Sequence, residues 1–173
     1  MSSKQRTTIY QGNLVDLGIE EITLANGEIL GLEIIRHPGG AAILAINEMG
    51  HICLLRQYRH AVAQWIWEIP AGVIEKKEEP ISAAKRELRE EAGLVANEWQ
   101  SLLSILPTPG FCDERLYLYS ARQLSEVNSA PNIDEQIEVH WKTKDEVLQM
   151  LADNHLQDAK TIIAILSMDH LAP

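Results

Sequence analysis

The chain has 173 residues, of which 46% are hydrophobic, and its formal net charge at pH 7 is −10. This length and apolar content suffice for one domain with a full core, with or without a small addition, and they exclude an intrinsically disordered chain. The negative charge argues against a nucleic acid or an anionic membrane as a partner, because both attract basic surfaces.

No stretch of the sequence approaches the roughly 18 apolar residues that a membrane-spanning helix needs, and the chain begins with polar residues rather than the apolar core of a signal peptide. The two cysteines, Cys53 and Cys112, form neither a CxxC pair nor a Cys/His cluster, so a zinc site is not expected. Cys53 lies in an apolar stretch, which predicts a buried, reduced thiol. Together these features predict a soluble protein of the cytoplasm.

The N-terminal segment, residues 1–38, is predicted to form a small antiparallel sheet. Asn26-Gly27 between two apolar runs is typical of a hairpin turn. The run His37-Pro38-Gly39-Gly40 then interrupts the pattern, which predicts a boundary to a second domain, residues 39–173. Because the first segment is too small to bury a core alone, it is expected to pack on a partner, and exchange of such a segment between subunits would give a homodimer.

The second domain alternates predicted strands with a central helix and ends in two helices. Apolar patterning predicts strands at 41–47, 52–58, 65–70, 99–106, 116–122 and 137–142, and helices at 81–92, 144–153 and 158–170. Strands on either side of one helix, with a terminal helix for the other face, predict an α/β fold, an α/β/α sandwich with a mixed sheet.

The central helix carries the most informative motif of the chain. Its apolar residues fall at the spacing of a buried face, Pro80 suits its first turn, and Gly93 suits the position after its end. Glu87, Glu90 and Glu91 are spaced i, i+3 and i+4, so they share one stripe of the helix surface. Three adjacent carboxylates repel one another, which favours a bound cation. Magnesium is the natural candidate, because it prefers oxygen ligands and keeps waters that phosphates can replace.

An alternative interpretation is a solvated helix face with i,i+4 ion pairs, which is common for a mixed run such as KRELREE. The frame around the run argues against it. The stretch 72–94 reads GVIEKKEEPISAAKRELREEAGL, with fixed positions at Gly72, Glu78, Arg86-Glu87-Leu88, Glu90-Glu91 and Gly93-Leu94. At every fixed position it resembles the signature of the Nudix hydrolases.

The resemblance implies the α/β/α Nudix fold and magnesium-dependent cleavage of a nucleoside diphosphate linked to another group, with manganese as a possible substitute. One turn apart, Glu87 and Glu91 are the best-placed metal ligands, while Glu90 is either a ligand or a residue that orients one. Arg86 and Glu78 are predicted to form a structural ion pair. The resemblance adds the backbone carbonyl of Ala71 as a metal ligand.

Outside this motif the chain is similar to the ADP-ribose pyrophosphatases and related nucleoside-diphosphate-sugar hydrolases. The similarity lies in Arg56-Gln57-Tyr58-Arg59, in Glu68-Ile69-Pro70-Ala71-Gly72 and in Pro109, about 16 residues past Gly93. It implies that Arg59 binds substrate phosphate, for which a planar guanidinium is suited. The other substrate-binding candidates are Arg56, Glu68, which either faces the site or pairs with Arg59, and the loop residues Pro109 and Glu114.

The general base and the adenine contact are also implied by the resemblance. The subgroup takes its base from an acidic residue in a late loop, which here selects Glu135, with Glu138 as the fallback. In dimeric relatives an aromatic residue of an exchanged N-terminal sheet stacks on adenine, which favours Tyr10. The other available aromatic surfaces are Tyr58, Trp65, Trp67 and Phe111.

The expected reaction is hydrolysis of ADP-ribose to AMP and ribose 5-phosphate. GDP-mannose or another nucleoside-diphosphate sugar is the nearest alternative, because no residue that reads the base is identified. An alternative of another class is a Nudix domain that binds a sugar nucleotide as a sensor without cleaving it, which the intact set of glutamates disfavours. Removal of oxidised nucleoside triphosphates is a third, disfavoured by Pro109 and the N-terminal extension.

Overall fold

The computed structural model describes residues 3–128 and 136–168, with side chains described from residue 5 onward. The chain divides into two compact units. Unit 1 comprises Met1–Gly39 and Leu106–Arg115, and unit 2 comprises Gly40–Ile105 and Leu116–Pro173. This division is discontinuous in sequence, whereas the predicted division at residue 38 is contiguous. No helix in the described ranges is long and apolar enough to cross a membrane.

Unit 1 contains an antiparallel sheet of strands β1 (Ser3–Gln11), β2 (Asp16–Thr23) and β3 (Ile29–Arg36), in the order β1-β2-β3. The predicted hairpin turn at Asn26-Gly27 is confirmed, since the Gly27 N–H donates to the Leu24 carbonyl and the Asn26 side chain accepts from the Glu28 N–H. The segment Leu106–Arg115 runs along β3. The Ile35 N–H donates to the Phe111 carbonyl (2.7 Å) and the Ile35 carbonyl accepts from the Asp113 N–H (3.2 Å).

Ion pairs in unit 1 join the same parts. Glu20 of β2 accepts from both Arg6 of β1 and Arg36 of β3, at 2.7 and 2.5 Å. The Arg36 guanidinium also reaches the Asp113 carboxylate at 2.9 Å. One chain of charges therefore crosses the sheet and ends on the 106–115 segment.

Unit 2 contains two sheets and three helices. In chain order its elements are β4 (Gly40–Ala45), β5 (Ile52–Arg59), β6 (Gln64–Glu68), β7 (Ala71–Val73), α1 (Pro80–Ala92), β8 (Leu94–Ile105), β9 (Leu116–Glu126), β10 (Ile137–Lys142), α2 (Lys144–Ala152) and α3 (Ala159–Ser167). The first sheet has the order β7-β4-β9-β8 and the second has the order β10-β5-β6. Because β4 and β9 are parallel and the other pairs antiparallel, the first sheet is mixed, as predicted.

The core of unit 2 lies on both faces of β4, which explains why this strand is apolar throughout. Ala42 and Leu44 belong to one buried cluster, which also contains residues of α2 and α3. Ala41 and Ile43 belong to another, which contains the apolar face of α1. The alternation along one strand thus separates the two layers of core.

Cys53 of β5 is buried in the second of these clusters, as predicted, and its thiol is not available for chemistry. Burial, together with the negative charge of Glu91, raises the pKa of the Cys53 thiol to about 12. A thiol with such a pKa stays protonated at neutral pH and is a poor nucleophile.

Several predicted boundaries differ from the observed ones. The predicted strand 65–70 ends at Glu68, and a separate strand, β7, begins at Ala71. Between them the Ile69 N–H donates to the Thr161 hydroxyl instead of a strand, and Pro70 has no N–H to donate. Strands β8 and β9 are longer than predicted, extending over 94–105 and 116–126, because their added residues pair with each other at the edge of the sheet.

Candidate active site

Helix α1 forms where the sequence predicts it. Pro80 lies in its first turn, and Gly93 ends it in the left-handed conformation (φ 65°), donating its N–H to the carbonyls of Leu88 and Arg89. Ala84 and Leu88 are buried in the core. Glu87 and Glu91 are buried too, so these two carboxylates are largely shielded from solvent.

The two buried carboxylates of α1 lie against strand β7. A Cβ atom at Gly72 would come within 2.0 Å of the Glu87 carboxyl carbon, so only glycine permits this close approach. Next to it, the Ala71 N–H donates to Glu91 at 2.8 Å. The structure therefore places the backbone of Ala71 and Gly72 beside Glu87 and Glu91, as the motif requires.

Arg86 is the cation of this cluster. It donates from Nε and Nη2 to the two oxygens of Glu78, both at 3.0 Å, which confirms the predicted ion pair. Its Nη1 also donates to Glu87 at 2.5 Å and to Glu90 at 3.2 Å. The hydrogen bonds from Arg86 hold the pKa of the Glu78 carboxyl below its ordinary value. One arginine thus serves three of the four glutamates of the motif.

The carboxylates of α1 suit a divalent cation, although their oxygens do not converge on one point. Over residues 3–128 and 136–168, no three His, Cys, Asp or Glu side chains converge as a group that could hold a metal. Glu87 and Glu91 nevertheless lie one turn apart and supply hard oxygen atoms. The neighbouring Gly72 leaves the space that the Glu87 carboxylate occupies, because any side chain at residue 72 would clash with it. Oxygen donors of this kind fit magnesium or manganese rather than zinc.

Arg59 and Glu68 form the second charged centre of unit 2. Arg59 donates from Nε to one oxygen of Glu68 at 2.6 Å and from Nη2 to the other at 2.9 Å. Glu68 therefore pairs with Arg59, one of the two roles predicted for it. The guanidinium is also close enough to Glu91 for that carboxylate to contribute to its raised pKa, after the larger effect of Glu68. Arg59 accordingly lies within electrostatic reach of Glu91, one of the α1 carboxylates.

Glu68 has a second cationic partner, which sequence analysis missed. Lys160, in the first turn of α3, contacts the Glu68 carboxylate and also lies 3.0 Å from Asp158. Burial favours the neutral acid, but the hydrogen bonds and charges of Arg59 and Lys160 outweigh it and hold the pKa of Glu68 below its ordinary value. A signal existed, since a lysine in the first turn opposes the helix dipole and needs a reason to be there.

The remaining candidates of unit 2 are less closely connected to this centre. Arg56 lies over the Trp65 ring at 5.3 Å and pairs with Glu138 at 3.5 Å. The Glu138 side chain is 50% exposed, as expected for a residue alternating with apolar neighbours on β10. Glu135, the candidate base, lies outside the described residues.

In unit 1, Pro109 lines a cavity of about 380 Å³ together with Arg36, Phe111 and Arg115. Glu114 lies at the end of the same segment, with an oxygen 3.7 Å from Nδ1 of His37. That nitrogen accepts the Gly39 N–H, so it does not donate to Glu114. Tyr10 on β1 is 59% exposed and does not line the cavity.

Most of the candidate aromatic surfaces are engaged with neighbouring groups. Tyr58 meets the edge of Trp65 at 5.9 Å between ring centroids, and Trp67 meets His140 at 4.9 Å. Trp67 also packs on the core of unit 2. Phe111 and Tyr10 are the more exposed of the set.

The NUDIX domain profile matches residues 36–164. The chain belongs to the Nudix family. This confirms the resemblance inferred from the motif. The matched region includes every residue of the 72–94 motif, together with Arg56, Arg59, Glu68, Pro109, Glu114 and Glu135. Nudix ADP-ribose pyrophosphatases typically use a divalent metal ion.

Two bacterial relatives of similar length resemble the chain over most of their sequence. The methanol dehydrogenase activator of Bacillus methanolicus is 39% identical over 159 residues, which cover 91% of this chain and 86% of that protein. The ADP-ribose pyrophosphatase of Bacillus subtilis is 37% identical with the same coverage. A crystal structure of an ADP compounds hydrolase superposes with a TM-score of 0.81 at 20% identity, covering 98% of this chain and 95% of that one. The predicted Nudix fold is thereby confirmed.

Proposed function

We propose that this Nudix protein hydrolyses the pyrophosphate bond of ADP-ribose, or of a closely related nucleoside-diphosphate sugar. The carrying observation is the placement of the buried Glu87 and Glu91 carboxylates against the glycine strand β7. The Arg59 guanidinium lies within electrostatic reach of Glu91. The Bacillus subtilis relative named ADP-ribose pyrophosphatase, at 37% identity, supports this substrate over other nucleotide sugars.

In this proposal Glu87, Glu90, Glu91 and the Ala71 carbonyl would hold magnesium, with manganese as a substitute. The metal would supply Lewis-acid polarisation of the phosphate and activation of water. Arg86 holds Glu87 and Glu90 in place through its shared hydrogen bonds. Arg59 keeps its fork on Glu68 and offers its remaining N–H groups to the diphosphate.

The reaction breaks one P–O bond of the diphosphate and adds one water. The water oxygen bonds to phosphorus, its proton passes to a carboxylate base, and the products are AMP and ribose 5-phosphate. Glu135 is the proposed base and Glu138 the fallback. Glu135→Gln should lower kcat strongly and Glu138→Gln only slightly. The reverse pattern would transfer the role to Glu138.

We further propose that the protein acts as a cytoplasmic homodimer. Pro109 and Glu114 would contact the substrate from the 106–115 segment, with Arg56 as a further contact, and Tyr10 would stack on the adenine of a neighbouring subunit. A mixture of inactive Glu91→Gln and Tyr10→Ala subunits tests the exchange. Recovery of activity on mixing supports a site shared between subunits. An activity equal to the sum of those of the two separate variants contradicts it.

The decisive experiment is a panel of nucleoside-diphosphate sugars with magnesium, in which a phosphatase converts the monophosphate products to free phosphate. Preference for ADP-ribose supports the proposal. Preference for GDP-mannose keeps the chemistry and changes the substrate. Binding of ADP-ribose without turnover would instead indicate a sensor.

A second candidate function is activation of another enzyme. It is favoured by the 39% identity to the methanol dehydrogenase activator of Bacillus methanolicus. Addition of the protein to that methanol dehydrogenase, with Glu91→Gln as the comparison, tests it. Activation that survives this substitution would separate the role from hydrolysis.

A further inference from the structure

The Glu68 carboxylate is the most constrained charged group near the candidate site. Its side chain is only 2% exposed, and both of its oxygens are engaged. Arg59 donates to each oxygen, and the Lys160 ammonium makes a short contact with Oε2. A carboxylate at this depth stays ionised only when nearby cations compensate for lost hydration.

The two cations are not equivalent. The Arg59 side chain is 40% exposed, whereas the Lys160 side chain is 11% exposed. Arg59 bonds Glu68 through Nε and Nη2, and among the described residues no hydrogen bond from its Nη1 is found. Lys160 is therefore the inner, fixed partner, and Arg59 is the partner that an anion from solvent can reach.

Lys160 is itself held by the N-terminus of α3. It contacts Asp158, whose carboxylate caps the helix by accepting the Thr161 N–H at 3.0 Å. The Thr161 hydroxyl in turn accepts the Ile69 N–H at 2.9 Å, next to Glu68 in sequence. The end of β6 and the start of α3 are thus joined by two contacts, and the ammonium stands at a defined position between them.

We propose that Lys160 is a positioning residue for the diphosphate site. Its ammonium fixes the Glu68 carboxylate, and the fixed carboxylate sets the plane of the Arg59 guanidinium that receives the diphosphate of the substrate. The inference rests on the proposed function for the identity of the anion, while the Lys160–Glu68–Arg59 relation stands on the contacts alone. Lys160 touches no substrate in this scheme and acts only through Arg59.

A double-mutant cycle tests whether Lys160 acts through Arg59. Lys160→Met should raise KM for ADP-ribose about tenfold with kcat changed less than about twofold, because binding rather than chemistry loses an oriented charged hydrogen bond. In an Arg59→Ala background the same substitution should change KM less than about twofold. An equal effect in both backgrounds, or an unchanged KM in the single variant, would overturn the proposal.

The matched control is Lys142→Met. Lys142 is a partly exposed lysine on β10 that pairs with Glu146 at 3.4 Å. The substitution Lys142→Met therefore removes the same charge at a different place. It should leave KM unchanged. Lys160→Gln is the second variant, since it keeps a hydrogen-bonding group if the methionine variant fails to fold, and thermal melting reports folding for every protein in the set.

A substrate-free measurement separates this proposal from the function on which it draws. The Nε–H resonance of Arg59, assigned by its loss in Arg59→Lys, reports the hydrogen bond to Glu68. In Lys160→Met or Lys160→Gln it should shift and broaden, and in Lys142→Met it should not. If wild-type protein neither binds nor cleaves ADP-ribose, the proposed function fails while this resonance still decides the positioning role. An unchanged resonance in folded Lys160 variants overturns it.

Discussion

Two charged centres of unit 2 differ in net charge: one is negative and the other is neutral. Around α1, Arg86 donates to Glu78, Glu87 and Glu90, and Glu91 accepts the Ala71 N–H. At the end of β6, two cations, Arg59 and Lys160, surround the single buried carboxylate of Glu68, and Asp158 completes a neutral set.

The difference indicates what each centre receives. The first keeps a surplus of negative charge in buried oxygen donors, which a divalent cation would neutralise. The second is already balanced and presents the outer face of a guanidinium, which suits an anion. Substitutions in the two centres should therefore have different consequences for stability and activity, and four substitutions test this.

The largest effect is expected from Glu68→Gln. It removes one of the two carboxylates that pair with the buried Lys160 and leaves Asp158 as the other, so the free energy of unfolding at pH 7 should fall by about 3 kcal/mol. The pKa of Glu68 lies below its ordinary value of 4.5 in the folded protein. Its stabilisation is therefore complete above pH 4.5 and is lost as pH falls through the lower, folded-state pKa.

Urea denaturation of both proteins at pH 7 and at about pH 3.5 measures this dependence. The difference in free energy of unfolding between wild type and Glu68→Gln should be smaller at the lower pH. A difference that is small at pH 7, or that does not change with pH, would show that the buried charge is not the source of the stability.

Glu91→Gln should remove most activity while the fold is retained. The loss in kcat is expected to be at least about 100-fold, because a ligand charge at the reacting phosphate is lost. Magnesium titration of the rate, with thermal melting for folding, measures it. Glu98→Gln, an exposed glutamate on β8, is the control and should be near wild type. Full activity of Glu91→Gln would eliminate Glu91 as a ligand.

Gly72→Ala should weaken metal binding about tenfold, since the new Cβ displaces the Glu87 carboxylate and disturbs ligand orientation. The rise in melting temperature with added magnesium measures the affinity. Gly110→Ala, whose Cβ would meet no atom within 4 Å, is the comparison. An unchanged magnesium response in Gly72→Ala would show that Glu87 can move without loss of the site.

The smallest effect is expected from Glu78→Gln. The pair with Arg86 is partly exposed, so its loss should cost about 1 kcal/mol or less of unfolding free energy. Arg86 retains Glu87 and Glu90, and the rate should change less than about tenfold. Chemical denaturation and initial rates measure the two quantities. A loss of activity like that of Glu91→Gln would give Glu78 a direct role in the acid-rich centre.

Local patterns predicted much of this fold because its elements are locally encoded. The spacing of apolar residues, Pro80 and Gly93 defined α1 almost to the residue, and Asn26-Gly27 defined a hairpin. Strand ends were less predictable, since β7 exists only through pairing with β4, about thirty residues earlier. The attachment of 106–115 to unit 1 depends on contacts distant in sequence and carries no local pattern.

The candidate site divides in the same way. Glu87 and Glu91 follow from helical spacing, so their shared position beside Gly72 was predictable. The pairing of Lys160 with Glu68 was not, because the two residues are 92 apart in sequence and the unfavourable place of a lysine in a first helical turn does not name its partner. The hydrogen-bonding roles of Arg59 were only partly predictable, since an arginine near a phosphate site can bind the phosphate, a neighbouring acid, or both.

The attachment of the 106–115 segment to β3 also has a consequence for synthesis of the chain. Arg36 and Asp113 are 77 residues apart, so unit 1 cannot close when β3 leaves the ribosome. At elongation rates of roughly 5–20 residues per second, the three-stranded sheet waits about 4–15 s for its last segment. During that interval the apolar side chains of Ile34 and Ile35 lack the segment that runs beside them in the finished protein. The order of translation therefore leaves the β3 edge of the N-terminal sheet without its pairing segment until residue 115 has been made.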